Sequence, residues 1–438
     1  FMQFGFLLLG GLAAAILAGT WWVAVRGNAL LTRTDNPRRA IADRFVKRGS
    51  LLDRNNIALA DSAGVPGELT RSLHYVDLSS VIGYTNPVYG QAGMEANLDA
   101  YLRGQEGAPT IDLWWNQILY GQPPPGLDVR LSLDLSLQKI ADAQLAGQSG
   151  AVVLLNANSG EVLATASHPT FDANRLEEQW ATIIRDPASP LINRVSQGMY
   201  PAGSILGPFL LTAALSQGTL PSLPASLNYE LDDFLLYCAS TPTSRTWSSV
   251  ILNGCPRPVA ELGKQMGVDA LVELFKALGF FSSPEIYLPI PDVAGLQIPD
   301  NPEEAALGKG LFISPLQLAA AGAALSNHGE RPALVLASSY HSTQRGWIRF
   351  PYRGASHTVF PKNLVEEALG LLDSGNLPVW QATAVIPLEE SEGITWFLGG
   401  TQPAWEGSPF VVVVLLETEN PALAKNIGEK VIQAAMQP

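Results

Sequence analysis

Only two cysteines occur in 438 residues, together with five methionines and five histidines. No histidine falls beside Cys238 or Cys255 at ligand spacing, so no metal and no cofactor is expected. Charge is sparse as well, at 15% of residues, and unbalanced: 27 basic against 40 acidic side chains leave a formal net charge of -13. So acidic a chain argues against nucleic acid as a partner. Low-complexity blocks and a fixed-period repeat are both missing, which excludes a solenoid. What remains, at 47% hydrophobic residues, is globular and long enough for two or three domains with at least one large core.

Charge is missing altogether from residues 1–25, FMQFGFLLLGGLAAAILAGTWWVAV. At ~1.5 Å per residue such a helix crosses a hydrocarbon layer of about 30 Å with some tilt. Trp21 and Trp22 near its end suit the membrane–water interface. The run is too long for a signal peptide and no small-x-small cleavage site follows it. Residues 1–25 therefore read as a single-pass anchor in the lipid bilayer. Arg26, Arg33, Arg38, Arg39, Arg44, Lys47 and Arg48 come next, a basic flank of the kind cytoplasmic loops carry, so charge alone leaves the orientation open.

The chain then breaks at turn signals such as DRNN and TNPVYG, and the run Pro123–Pro125 marks a boundary. LDVRLSLDLSLQKIADAQLAG passes from a strand into a helix, with apolar positions at Leu135, Ile140 and Leu145. GAVVLLNANSGEVLATAS reads as a hairpin turning at Asn156–Gly160. From Pro201 to about Gly329 the pattern is mainly helical, as in AELGKQMGVDALVELFKALGF and SPLQLAAAGAALSNHG. ITWFLGGTQPAWEGSPFVVVVLLE supplies two strands, and Asn420 with Pro421 opens a closing amphipathic helix. Strands from distant parts of the chain with helices on their faces predict an α+β or mixed α/β domain. Cys238 and Cys255 lie in a loop-like region: in an oxidising compartment they close a local disulfide, in the cytosol they are plain core residues, and the disulfide is the expectation for an exported chain.

One short stretch carries chemistry. MYPAGSILGPF, Met199 to Phe209, makes a tight approach and then starts a helix at Ser204. A serine so placed is a candidate nucleophile if a base takes its proton. The residue one turn on is Gly207, and no histidine stands nearby in sequence.

In order and wording, these segments resemble the class B penicillin-binding proteins, the membrane-anchored D,D-transpeptidases that cross-link peptidoglycan. RGSLLDRNNIALADS (residues 48–62) and VIGYTNPVYGQAGMEANLDAYLRG (residues 81–104) are similar to the family's pedestal signatures. VRLSLDLSLQKIA, SGEVLATASHPTFDAN, INRVSQGMYPAGS and LGKGLFISPLQLAAAGAALSNHG continue the series in family order. Any one of these is weak; together, and in order, they cover nearly the whole chain. The resemblance implies an α/β transpeptidase domain, serine β-lactamase-like, at residues 127–438. It also implies a pedestal at 26–126 and the anchor at 1–25, with the bulk of the chain outside the plasma membrane.

The family's reaction uses three motifs. In Ser-x-x-Lys the serine attacks and the lysine, on the same helix face one turn later, relays its proton. Here that motif reads Ser204-Ile205-Leu206-Gly207: the hydroxyl is present and the base is not. The family's Ser-x-Asn corresponds to Gly254-Cys255-Pro256, without hydroxyl or amide, though Ser248 and Ser249 stand close by. Lys-Thr-Gly corresponds best to Trp380-Gln381-Ala382, where no cation is left for a substrate carboxylate and Trp380 is expected to fill its place; an alternative register at Leu398-Gly399-Gly400-Thr401 also lacks lysine. Losing a positioned general base typically costs ~10²–10⁴-fold in rate.

The leading expectation is therefore a pseudoenzyme, with Ser204 a vestigial nucleophile. By resemblance it serves as a structural or regulatory partner of integral membrane proteins such as a polytopic glycosyltransferase. Two alternatives stand beside it. One is residual transpeptidase or acyl-serine hydrolase activity at Ser204 with a base from Lys264 or Lys309. The other is a peptidoglycan-binding module without catalysis. Elsewhere, Asp53 with Arg54 reads as an ion pair or turn, Glu95 as a cap or pedestal contact, His168 as a satisfied polar group, and Trp396 and Phe397 as core.

Overall fold

The computed structural model describes residues 2–31, 45–107, 125–232, 234–292, 297–372, 377–388 and 391–437. Its centre is a five-stranded antiparallel sheet in the order Val379–Leu388, Ser391–Thr401, Phe410–Leu416, Gly150–Asn156, Val162–His168. The middle strand, FVVVVLL, is buried at every position, as a β-branched run covered on both faces must be. Alternation divides it between two cores. Val411, Val413 and Leu415 face one, and Val412, Val414 and Leu416 meet Ile427 and Val431 of the C-terminal helix Pro421–Met436 in the other.

The helix Pro315–Ser326 covers the first face and is buried along its whole length. Ser314 and Gln317 close a capping box at its start, satisfying backbone donors that burial would otherwise leave unpaired. The continuous helical pattern expected from Ala260 to Phe280 is two helices, Pro256–Met266 and Val268–Leu278, interrupted at Gly267. The mainly helical middle also holds a small hairpin, Tyr229–Leu231 with Phe234–Leu236, which local periodicity did not reveal.

A second, six-stranded sheet runs in the order Gly346–Arg349, Ala337–Ser342, Val129–Leu131, Leu51–Leu52, Ala58–Ala63, Thr70–Leu73. It takes strands from both sides of the boundary expected at residue 126. Backbone pairing of Ala337–Ser342 with Val129–Leu131 joins segments some two hundred residues apart, beyond the reach of any local signal. Beside it lies a buried ionic cluster. Glu95, on the short helix Gly93–Asn97, pairs with Arg48 at 2.8 Å and Arg71 at 2.6 Å, and Arg48 also reaches Asp99 at 2.6 Å. Asp53 makes a turn, accepting from the backbone N–H of Asn55 and Ile57, while Arg54 pairs with Glu161 instead. His168 meets Asp142 at 2.9 Å.

A 30-residue helix, Met2–Leu31, precedes both sheets in the chain. Among the described residues no helix is long and apolar enough to cross a membrane; of this helix's side chains, those at Gly5 and residues 9–22 are described. Arg33, Arg38, Arg39 and Arg44 of the basic flank, and Pro123 with Pro124 of the boundary run, lie outside the described residues.

Candidate active site

The approach to Ser204 is clamped from several directions. Tyr200–Pro201 pairs with Phe312–Ile313 as a two-stranded ribbon. Trp396, in the core strand where the sequence put it, donates its Nε1–H to the Pro201 carbonyl at 2.9 Å. The Tyr200 hydroxyl donates to Glu417 at 2.8 Å, and Glu417 also receives Arg194 at 2.9 Å. Burial, followed by the Glu417 charge, pushes the Tyr200 phenol well above its ordinary range, so it is no phenolate base. The chain then tightens into a 3-10 turn, Gly203–Leu206, and continues as the helix Gly207–Leu215 with a proline in its first turn. Gly203 holds φ at 61°, and a Cβ there would come within 2.6 Å of the Ile386 side chain.

Ser204 is buried, and its hydroxyl donates to the Gly254 carbonyl at 2.7 Å. Gly254 has φ 57°, and a Cβ there would lie 1.9 Å from the Thr383 carbonyl oxygen. Backbone thus rests directly on backbone, and no side chain fits between them. At Gly207 a Cβ would stand 3.0 Å from Ile251 and 3.3 Å from Val259, so an apolar wall faces the turn where a base would be needed.

The two lysines considered as substitutes are otherwise engaged. Lys264 is exposed and pairs with Glu303 at 3.3 Å. Lys309 donates to Asp232 and Glu304, each at 2.8 Å. Those hydrogen bonds raise its ammonium above the ordinary lysine value, so it holds its proton instead of accepting one. Among the described residues no titratable side chain hydrogen-bonds Ser204.

The edge strand Val379–Leu388 closes the remaining side, and here the structure corrects the sequence. Trp380 does not fill the space beside the serine. It is buried under the sheet, donating its indole N–H to Ser326 at 3.0 Å. At ~3.3 Å per residue it lies roughly 20 Å along the strand from Ile386. Gln381 lines a separate cavity, Ala382 adjoins Thr383, whose carbonyl rests against Gly254, and Val385 and Ile386 line the space beside the serine. Ser248 and Ser249 belong to the helix Trp247–Leu252 and line a different cavity. What is left around Ser204 encloses about 100 Å³, lined by Gly203, Leu231, Leu236, Phe312 and Ile386 and also by Lys309, which the structure thus brings to the same space as the serine although its ammonium is held by Asp232 and Glu304. Ordinary ligand sites start near ~300 Å³.

Residues 150–367 match the model of the penicillin binding protein transpeptidase domain. The chain belongs to the penicillin-binding-protein transpeptidase family. It is 28% identical over 297 residues to the peptidoglycan D,D-transpeptidase MrdA of Acinetobacter baumannii, a match covering 59% of this chain and 43% of that protein. To the peptidoglycan D,D-transpeptidase PbpA of Mycobacterium tuberculosis it is 27% identical over 339 residues, covering 68% of this chain and 67% of the other. The matched part is thus less than half the length of the Acinetobacter relative. In fold it is similar to penicillin-binding protein A of M. tuberculosis, solved as its imipenem acyl-enzyme. That TM-score is 0.78 at 22% identity, over 91% of this chain and all of the other.

Within this penicillin-binding-protein fold, residues read from the first two motifs meet in one place: Ser204 bonds Gly254 and shares its space with Pro256, while Gly207 faces Ile251 and Val259. Cys238 and Cys255 form a disulfide that ties the end of the small hairpin to the Gly254 turn. Closing a loop of this length contributes about 3 kcal/mol in the chain-entropy account. The sequence reading missed the residues that fill the cleft, Ile251, Val259 and Ile386, and the hairpin residues Leu231 and Leu236. They are ordinary apolar side chains, and no sequence signal distinguishes a residue that plugs a cleft from one that fills a core.

Proposed function

We propose that this chain is a catalytically silent member of the family, acting as a structural or regulatory subunit of a membrane complex in cell-wall synthesis. One observation carries the reading: Ser204 is committed to the Gly254 carbonyl, and the turn that would bear its base is a glycine faced by Ile251 and Val259. An unassisted serine hydroxyl is a poor nucleophile, and the space beside it is too small for a peptide strand. Retention of the serine has a structural use in this reading, as a buried donor that satisfies the Gly254 carbonyl.

The division into an anchor at residues 1–25, a pedestal at 26–126 and a transpeptidase-like domain at 127–438 belongs to the same proposal. So does an extracytoplasmic position for the bulk of the chain. The uncharged run supports the anchor, together with the exposed Leu9, Leu12, Ile16, Leu17, Trp21 and Trp22 on its helix. The partner is an integral membrane protein, with a polytopic glycosyltransferase the first candidate.

Two experiments test this. The full-length protein incubated with a fluorescent penicillin is expected to show no labelling above that of Ser204→Ala. A covalent band lost in Ser204→Ala would establish residual acylation instead. Purified from membranes in mild detergent, the protein is expected to bring an integral membrane subunit with it; consistent recovery as a lone monomer would end the subunit reading.

A further inference from the structure

The chain is acidic overall, yet residues 331–365 hold four arginines, one lysine and two histidines and no acidic side chain. Part of that charge is presented by the outer hairpin of the six-stranded sheet, Ala337–Ser342 with the edge strand Gly346–Arg349. Register decides which side chains share a face. His341 pairs with Trp347, and Ser339 pairs with Arg349 on one side and with Arg130 of Val129–Leu131 on the other. Directly paired residues point to the same side of a sheet, so Arg130, His341, Trp347 and Arg349 stand together. Arg345 sits in the exposed turn beside them, while Val129 and Tyr340 take the opposite face, against the core.

The Arg130 guanidinium lies 3.9 Å from the centre of the Trp347 ring, and its Nε–H donates to Asn56 at 2.9 Å. Stacking and that bond fix its direction. Among the described residues Arg130, Arg345 and Arg349 enter no salt bridge. Asp128, two positions from Arg130, is taken by the Ser50 N–H at 2.6 Å. Charge alone is what a guarded edge strand shows. Exposed aromatic side chains do not guard an edge, and here Trp347 and Tyr352 are both exposed.

We propose that this face rests on the phosphate headgroups of an anionic lipid bilayer. Guanidinium forks match phosphate oxygens, and tryptophan and tyrosine settle at headgroup level. The strand Leu51–Leu52, which the chain reaches after the apolar helix Met2–Leu31, belongs to the same sheet and is separated from the hairpin by a single strand. An anchored chain therefore keeps this face at high effective concentration near the bilayer. The proposal deepens the membrane reading above and rests on it only for that tether.

Both native cysteines are in the disulfide, so Thr343→Cys in the exposed turn gives one labelling site. Full-length protein with an environment-sensitive dye there is reconstituted into vesicles of phosphatidylcholine, alone or with about 30% phosphatidylglycerol. Doxyl-labelled lipid in each serves as the quencher. Quenching is expected to be at least about threefold greater in the anionic vesicles, and to fall to the neutral level in about 0.5 M salt. Arg345→Gln combined with Arg349→Gln should abolish the difference; both side chains are exposed, so the fold survives the change. Equal quenching in the two vesicles, none in either, or a difference untouched by the arginine change would overturn the proposal. A dye that responds to a co-purified acidic protein and not to lipid would equally overturn it, assigning the face to protein. Flotation with neutral vesicles scores the anchor separately: a chain that stays behind refutes the anchor, while the dye in anionic vesicles still decides the face.

Discussion

Restoring the family's lysine, by Gly207→Lys, is expected to destabilise the protein and to leave it unreactive towards penicillin. The first new atom would already crowd Ile251 at 3.0 Å and Val259 at 3.3 Å. Overpacking of this kind costs about 1–3 kcal/mol. The rest of the side chain then carries an ammonium into a buried turn with no carboxylate hydrogen-bonded to Ser204 or facing Gly207. An unpaired buried charge costs several kcal/mol more unless it sheds its proton. Replacing glycine in a helix returns at most ~1 kcal/mol, so the balance is unfavourable. Should the lysine become neutral, Ser204 still donates to Gly254 and Ile386 still occupies the groove. Melting temperature and fluorescent-penicillin labelling read the two effects together. A variant as stable as the parent that acquires a covalent label would show that the cleft opens and that one residue silences it.

The other large effect is expected in the buried ionic cluster around Glu95. Glu95→Ala leaves the guanidinium groups of Arg48 and Arg71 buried beside an empty place, with only Asp99 still paired to Arg48. Removing one partner of a buried ion cluster costs about 3–5 kcal/mol, far above the value of a surface pair. Protection of residues 45–107 from limited proteolysis should fall with the melting temperature; unchanged protection would show that the cluster contributes nothing net.

The same carboxylate sets a pH dependence. Burial works to raise its pKa, but Arg71 and Arg48 outweigh burial and hold it below the ordinary glutamate value. A depressed carboxylate contributes stability that is complete above the unfolded value, ~4.3, and is lost as pH falls through the folded one. The parent should therefore lose stability steeply below about pH 4, and Glu95→Gln should show a shallower acid limb.

How much of this was legible in the sequence depends on the range of each interaction. The hairpin at Asn156–Gly160, the cap at Asn420 and the buried strand FVVVVLL are local patterns, and each appears where its residues predicted. Ser204, Gly207 and Gly254 were read from motif order, which lies in one dimension, and the structure sets Ser204 against Gly254 and Gly207 against Ile251 and Val259. The level of the edge strand was not legible in that order. Motif order put Trp380 in the place of the family's lysine, whereas it is buried under the sheet against Ser326, about six residues along the strand from the Ile386 that packs on Gly203.

The sequence by itself determined that Gly207 stands one turn after Ser204 and that Gly254-Cys255-Pro256 and Trp380-Gln381-Ala382 carry no cation. Tertiary structure alone decided what surrounds Ser204. Gly254 presses its backbone onto Thr383, Ser204 turns its hydroxyl to that same turn, and Ile251, Val259 and Ile386 close around it. The physical reason is close packing: the side chains around Ser204 come from distant segments of the chain, and no local pattern records which of them meet.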